Sequence, residues 1–418
     1  MYRMMKNKIR VSELYYIMVA LGYVATLVFS GMRPGVFGAF LMVLVVAELV
    51  LSKNMKDFAL ADFIAIAYFA YQVLSVIWLL AGGYPVSVFV NEFVSSTLPM
   101  VFYFVGRTCK DRSKWYRFYL YAILILGIIG VVLYALAPQF YCDWAYRWSY
   151  ISKADAATLR VRMHSVVGST CLSFISVAGM LAASYFLSGS CPADAKGSAD
   201  PSDKKNTVFA AVTIAACLLF AIMANQRSGL VAAGLVLVYI NYLLFFKLDM
   251  IPKKYFVYEV GAVAAVFIIV GIIRFDFLLK YWYRIISLPT AVSQRSEQWV
   301  AAVNNMYSSW IGNGLGANGH RALGVEDAHV IADGGLVKLY CENGVIGFSL
   351  FVYLIFLALS DGVKAIRTHY VEVGIIVVAL LQSIGSNILA FQICTPILWF
   401  SIGSCIERGK IFPKKPCE

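Results

Sequence analysis

Twelve stretches of this 418-residue sequence run close to twenty residues with few or no charges: 11–30, 35–52, 57–81, 88–106, 115–137, 164–188, 207–224, 228–247, 254–273, 334–360, 370–386 and 391–406. About 20 apolar residues in a helix span the hydrocarbon core of a bilayer. A dozen such stretches predict an all-α polytopic integral membrane protein, a single membrane domain over 1–418. The last two are short and are interrupted by Ser383, Gly385 and Pro396. Only 14% of residues are charged, against about 25% in soluble domains. Together with a mean hydropathy of +0.76, this excludes soluble, disordered, collagen-like and disulfide-scaffold readings.

The net charge of +12 raises the question of nucleic acid. In a membrane protein a basic excess marks the cytoplasmic side instead. With the N-terminus inside, every inner segment is basic: Arg3 to Arg10, Lys53 and Lys56, Arg107 to Arg117, Lys196 to Lys205, Lys247 to Lys254, Lys364 and Arg367, and Arg408 to Lys415. Both termini are therefore expected in the cytoplasm, with no nucleic-acid partner. Nine cysteines are scattered without C-x-x-C spacing, so no structural disulfide is implied.

Two long outer loops are expected, at 138–163 and at 274–333, and a hydrophilic cytoplasmic linker at 190–206. A connection as long as 274–333 has structure or function of its own. Its stretch 275–288 is amphipathic and aromatic, suited to the membrane interface, and 293–307 is a second helix candidate.

The inner cations are mostly Lys, whereas the outer ones are mostly Arg: Arg33, Arg147, Arg160, Arg162, Arg227, Arg274, Arg284, Arg295 and Arg321, with Lys153, Lys280 and Lys338. Guanidinium offers a planar fork for bidentate contact with phosphate or carboxylate. Such a set suits a lipid-linked phosphate or an acidic glycan. It equally suits snorkelling to headgroups, the reading preferred for Arg147, Arg274 and Arg284. Arg227 sits in the turn Asn225-Gln226-Arg227-Ser228-Gly229, where it can point into a bundle mouth. Arg160 and Arg162 precede a helix opening at His164, whose N-terminus favours an anion. Arg295 and Trp299 share a helical face, either as guanidinium on phosphate with indole on sugar, or as a packing pair.

The run Gly312-Asn313-Gly314-Leu315-Gly316-Ala317-Asn318-Gly319-His320 lacks the strand and βαβ context of a nucleotide loop. Its glycines read as a compact turn or a close backbone approach. Glu326, Asp327, His329 and Asp333 follow as the densest outer titratable set, without metal-ligand spacing. Lys338 and Glu342, inside a span, are functional candidates or a mutual i,i+4 ion pair. Glu92, near the outer end of its span, is a further candidate.

Three motifs, Arg295-x-x-x-Trp299, Ile311-Gly312-x-Gly314-Leu315-Gly316 and Leu339-x-x-Glu342-x-Gly344-x-x-Gly347, stand in this order. With Asn225-x-Arg227-Ser228-Gly229 and Arg162 before its helix, the region 160–350 resembles the bacterial O-antigen polymerase and ligase superfamily. The resemblance implies a C-type-glycosyltransferase-like membrane fold of about twelve spans, with its long periplasmic loop between spans nine and ten. It implies an inner-membrane glycosyltransferase acting on the periplasmic face without cofactor or metal. The donor would be an undecaprenyl-diphosphate-linked oligosaccharide within the lipid bilayer, and a polysaccharide chain-length regulator is an expected partner. Arg160, Arg162, Arg227 and Arg295 would hold the diphosphate. His329, Asp333 and Glu342 would be catalytic, with His329 or Asp333 the base. His164, Trp299, His320, Arg321 and Lys338 would contact glycan. Ligases of the superfamily carry a catalytic His where this chain has Asp333, which favours polymerase over ligase. A lipid-linked oligosaccharide flippase or other secondary transporter is the alternative of a different class. Transporters place their charges near the midplane of broken helices, whereas here the polar groups gather at the outer side.

Overall fold

The computed structural model describes residues 10–29, 33–52, 58–109, 111–147, 162–187, 201–247 and 288–407, with scattered residues between 253 and 286. Among the described residues all regular structure is helical. The helices are α1 (Val11–Ala25), α2 (Pro34–Ser52), α3 (Leu60–Ala81), α4 (Val86–Glu92), α5 (Val101–Thr108), α6 (Arg112–Ala135) and α7 (Pro138–Arg147). They continue as α8 (Ser169–Ser184), α9 (Pro201–Ala224), α10 (Arg227–Asn241), α11 (Leu288–Asn304), α12 (Gly335–Lys364), α13 (Ile366–Gly385) and α14 (Thr395–Cys405).

Eight helical stretches are long and apolar enough to cross a membrane, counting Val86–Thr108 and Arg227–Lys247 each as one. Their outward faces carry large apolar side chains such as Phe40, Phe63, Ile77, Val238 and Phe356, a surface suited to lipid rather than water. The protein is thus a polytopic, all-helical membrane protein.

The count of about twelve spans is not reached among the described residues. Three expected spans form shorter helices: Val11–Ala25, Ser169–Ser184 and Thr395–Cys405. At 164–188 the positive φ of Ser165 and Gly168 delays the helix until Ser169. At 391–406 Pro396 sits at the helix start and shortens it. The expected span 254–273 lies largely outside the described residues, as do the loop residues 148–161, the interfacial stretch 275–288 and both termini. The expected linker is shorter than 190–206, because α9 already begins at Pro201.

Helix α8 is the hub. It packs against α6, α9, α10 and α13, and every residue of it but Thr170 is buried. Its composition explains this. Ser, Ala and Gly side chains let neighbouring backbones approach closely. Gly179 faces Cys217 and Ile123, and Gly229 of α10 faces Ser173 of α8.

Two interruptions shape the bundle. Between α4 and α5 the chain passes through a π turn (Phe93–Thr97) and a 3-10 turn (Leu98–Met100). Pro99 has no N–H for the carbonyl of Ser95, and the Thr395 hydroxyl donates to that carbonyl at 3.3 Å. Within α12, Gly344 adopts φ 59°, ψ −169°, which breaks the helix. The freed carbonyls of Cys341 and Glu342 accept from the N–H groups of Asn313 and Gly314, at 2.9 Å each. The freed N–H groups of Val345 and Ile346 donate to the carbonyls of Ser309 and Trp310, at 2.9 and 3.0 Å. The segment 309–314 therefore gives each backbone group freed by the kink a partner of its own.

At the opposite end of the bundle two cations expected to serve only as topology signals are ion-paired. Arg107 binds Asp62 at 2.8 Å, and Arg112 binds Glu372 at 2.7 Å. Both carboxylates are buried.

Candidate functional site

Asn225, with φ 51°, ends the α9 run, and Gln226 caps α10, so that Arg227 becomes its first residue. Arg162 lies in the segment leading to α8, and Arg295 lies on α11. These three arginines, distant in sequence, line one cavity of about 670 Å³. Trp299 and Asp333 share its wall, with Gln226, Thr170, Ser228 and the apolar Val231, Leu381 and Ile384. Its volume falls in the range of about 300–1,000 Å³ usual for ligand sites.

The last turn before α12 carries Asp333. Arg295 Nη2 lies 2.7 Å from Asp333 Oδ2, and Trp299 Nε1 donates to the Asp333 backbone carbonyl at 2.7 Å. The i,i+4 pair Arg295 and Trp299 thus grips one residue from the same helical face. Gly334 has φ 131°, and a β-carbon there would collide with the Trp299 indole. Asn387 Nδ2 donates to the carbonyls of Ile331 and Ala332, and Asn318 Nδ2 donates to that of His329. Segment 329–333 is therefore hung from three side chains.

The electrostatics are unbalanced. Three guanidiniums and one carboxylate line the cavity. Among the described residues neither Arg162 nor Arg227 has an ion-pair partner; Asp333 is taken by Arg295. Arg162 holds its proton less tightly than an ordinary arginine, first because it is half-buried and then because Arg227 repels it, with Asp333 offsetting part of this. Partly desolvated cations without counter-charge are costly, and an anion in the cavity would relieve that cost.

A second cavity of about 470 Å³ abuts the first, and Arg162, Thr170 and Gln226 line both. His164 and Arg321 line this second space together with Tyr141, Trp144 and Gln392. His164 sits in the turn before α8, where burial and then Arg162 lower its pKa to about 4, leaving the ring neutral.

The other predicted residues lie elsewhere. Lys338 and Glu342 are buried and face Glu92: Lys338 Nζ lies 2.6 Å from Glu92 Oε1 and 3.1 Å from Glu342 Oε2. The backbone N–H of Asn318 donates to Glu342 Oε1 at 3.3 Å. This closed triad underlies the glycine run and lines neither large cavity. His329 and His320 line neither cavity as well, and His320 is exposed. Arg160 lies outside the described residues. Sequence reasoning missed Gln226, Thr170 and Ser386, whose hydroxyl lies 3.2 Å from that of Ser228. For Ser386 the one signal was the polar interruption Ser383 to Asn387 in an otherwise apolar run, and Gln226 stood in the turn quoted for Arg227 without a role of its own. Among the described residues no three His, Cys, Asp or Glu gather as a metal site. No protein-family model matches the sequence, and no curated protein matches it.

Proposed function

We propose that this protein is a glycosyltransferase of the O-antigen polymerase kind, drawing its donor from a polyprenyl diphosphate in the membrane. One observation carries the reading: three arginines, one of them neutralised, converge on a single cavity at the helix ends. The excess is two positive charges. A diphosphate esterified at both ends carries two negative charges, so donor and cavity match. Lys contacts would supply charge alone, whereas guanidinium forks also fit the oxygen geometry of a diphosphate.

In the reaction the hydroxyl oxygen of an acceptor sugar attacks the anomeric carbon of the donor glycan. The bond from that carbon to the diphosphate oxygen breaks, and its electron pair leaves with the lipid diphosphate. Arg162, Arg227 and Arg295 stabilise the charge developing there, the largest expected contribution. The acceptor proton passes to a base. Asp333 on the cavity wall supports it as that base over His329, which points to neither cavity. Attack from the opposite face inverts the anomeric configuration. Glu342, buried against Lys338, supports the loop rather than touching substrate. The active face is periplasmic, in a bacterial inner membrane, and a chain-length regulator is a fitting partner.

The glycan profile of a deletion strain tests this. A single repeat capped on lipid A supports a polymerase. Loss of all attached glycan, with lipid-linked polymer accumulating, means a ligase. Complementation with Arg227→Ala or Arg295→Ala should leave short glycan while the protein still inserts. Normal ladders from both variants would overturn the assignment.

A further inference from the structure

Transfer needs two substrates in contact, and the arginine cavity accounts for one. We infer that the neighbouring cavity of about 470 Å³ is the acceptor subsite, holding the sugar whose hydroxyl is to be glycosylated. This rests on the diphosphate reading of the arginine cavity. The partition between the two spaces is thin and polar. Gln226 Nε2 donates to Ser169 Oγ at 2.6 Å, and Arg162, Thr170 and Gln226 face both sides. The acceptor hydroxyl would reach past this boundary to the donor's anomeric carbon and to Asp333, which lines the arginine side alone.

The lining suits a sugar. The rings of Tyr141 and Trp144 lie nearly parallel, 13° apart, on the one short helix, α7, that packs on the end of α6. Their polar tips are already engaged: Tyr141 donates to the Ser165 carbonyl, and Trp144 to that of Thr26. Tyr141 is fully buried and Trp144 nearly so, so the two rings brace the back of the cavity and hold the Ser165 turn in place. Opposite in character is the Ser165–Thr170 turn. Gly168 there has φ 90°, and a β-carbon would meet nothing within 4 Å, so its backbone lies bare toward open space. Arg162 and Arg321 are the charged lining groups, and no carboxylate joins them. Such a cavity offers donors to hydroxyl oxygens and to acidic ring substituents, and no carboxylate to a cation. It also differs from the arginine cavity, where Asp333 competes for guanidinium.

Two probes separate the subsites in the full-length protein in nanodiscs. One is undecaprenyl diphosphate without sugar. The other is the host's own repeat oligosaccharide, released from its carrier by mild acid and freed of phosphate. Ligand-observed saturation-transfer NMR reads the second, and binding of the first is followed in the same samples. The wild type should bind both at once. Trp144→Ala and Arg321→Ala should weaken the oligosaccharide at least tenfold and leave undecaprenyl diphosphate unchanged, which also controls for folding. Arg227→Ala should do the reverse, and Arg162→Ala should weaken both. The subsite is overturned if the oligosaccharide gives no saturation transfer, the cavity then holding water only. It is equally overturned if Trp144→Ala with Arg321→Ala binds as the wild type does, or if undecaprenyl diphosphate displaces the sugar mole for mole. Oligosaccharide binding without any undecaprenyl diphosphate binding would instead sink the diphosphate reading and leave the sugar site standing.

Discussion

Arg295 holds Asp333 at 2.7 Å on the wall of the cavity that both line. The carboxylate therefore holds a guanidinium that would suit a diphosphate. On the proposed function, an incoming diphosphate would compete with Asp333 for it, and binding would free the carboxylate to take a proton. Both side chains are about a third exposed, so the pair is worth about 0.5–1 kcal/mol. Asp333→Asn should accordingly raise the affinity for undecaprenyl diphosphate by roughly two- to fivefold while abolishing transfer. A binding titration on purified variant and wild type checks this. If Asp333 merely braced the loop, affinity would fall with activity.

Lys338 sits buried between Glu92 and Glu342, within 2.6 and 3.1 Å of their oxygens. Removing the cation leaves two carboxylates facing each other out of water. Breaking a buried pair in this way costs about 3–5 kcal/mol. Lys338→Met should therefore lower the thermal midpoint in detergent sharply, whereas Glu342→Gln, which keeps the hydrogen-bonding shape, should lower it less. A Lys338→Met protein with a native midpoint but no activity would move the triad into the chemistry.

How much of this was readable beforehand depends on the range of the interaction. Helical spans are local properties of hydropathy, and most were legible. The short α8 was not foreseen as a buried hub, because lipid-facing and protein-facing helices have the same apolar run; only its Ser, Ala and Gly content hinted at burial. Arg227, Arg162 and Arg295 were legible as outer guanidiniums in polar local contexts. That they share a cavity is a tertiary fact, set by the α9–α10 turn meeting α11 and the end of α13. Lys338 and Glu342 were legible as an i,i+4 pair, but Glu92, 246 positions from Lys338, could join it only through the fold. The Ser386 and Asn387 contacts were hidden because a polar break reads only as a weak span.

His164 provides a test by pH. Burial, with Arg162 nearby, moves its pKa from an ordinary 6.5 to about 4. Above pH 6.5 the ring is neutral folded and unfolded, and it costs nothing. As pH falls from 6.5 toward 4, the unfolded chain takes up a proton that the folded protein refuses, so stability is lost across that window and then levels off. The loss from this one group is at most about 3 kcal/mol. His164→Gln should remove that component, flattening the thermal midpoint between pH 6.5 and 4. A wild-type midpoint already flat over this window would contradict a neutral buried ring.

Gly344 and Gly312 meet where α12 breaks, with φ of 59° and 76°. The ψ of −169° at Gly344 lies in a region almost closed to other residues. A β-carbon there would strike the Trp310 carbonyl and come within 2.5 Å of the Gly312 nitrogen. Gly344→Ala should thus cost about 1–3 kcal/mol in backbone strain alone, with the collision added. The damage should not stay local. The glycine run would lose the carbonyls of Cys341 and Glu342 that hold Asn313 and Gly314. Asn318, which anchors His329 and Ile331, would shift with it. Asp333 hangs on that segment, so transfer should fail while the spans still insert. Limited proteolysis between residues 305 and 333, beside a transfer assay, reads both effects. Gly234→Ala on α10, where a β-carbon meets nothing within 4 Å, is the matched control and should be neutral or slightly stabilising. Equal protease resistance of Gly344→Ala and Gly234→Ala would show that the break in α12 does not organise the site.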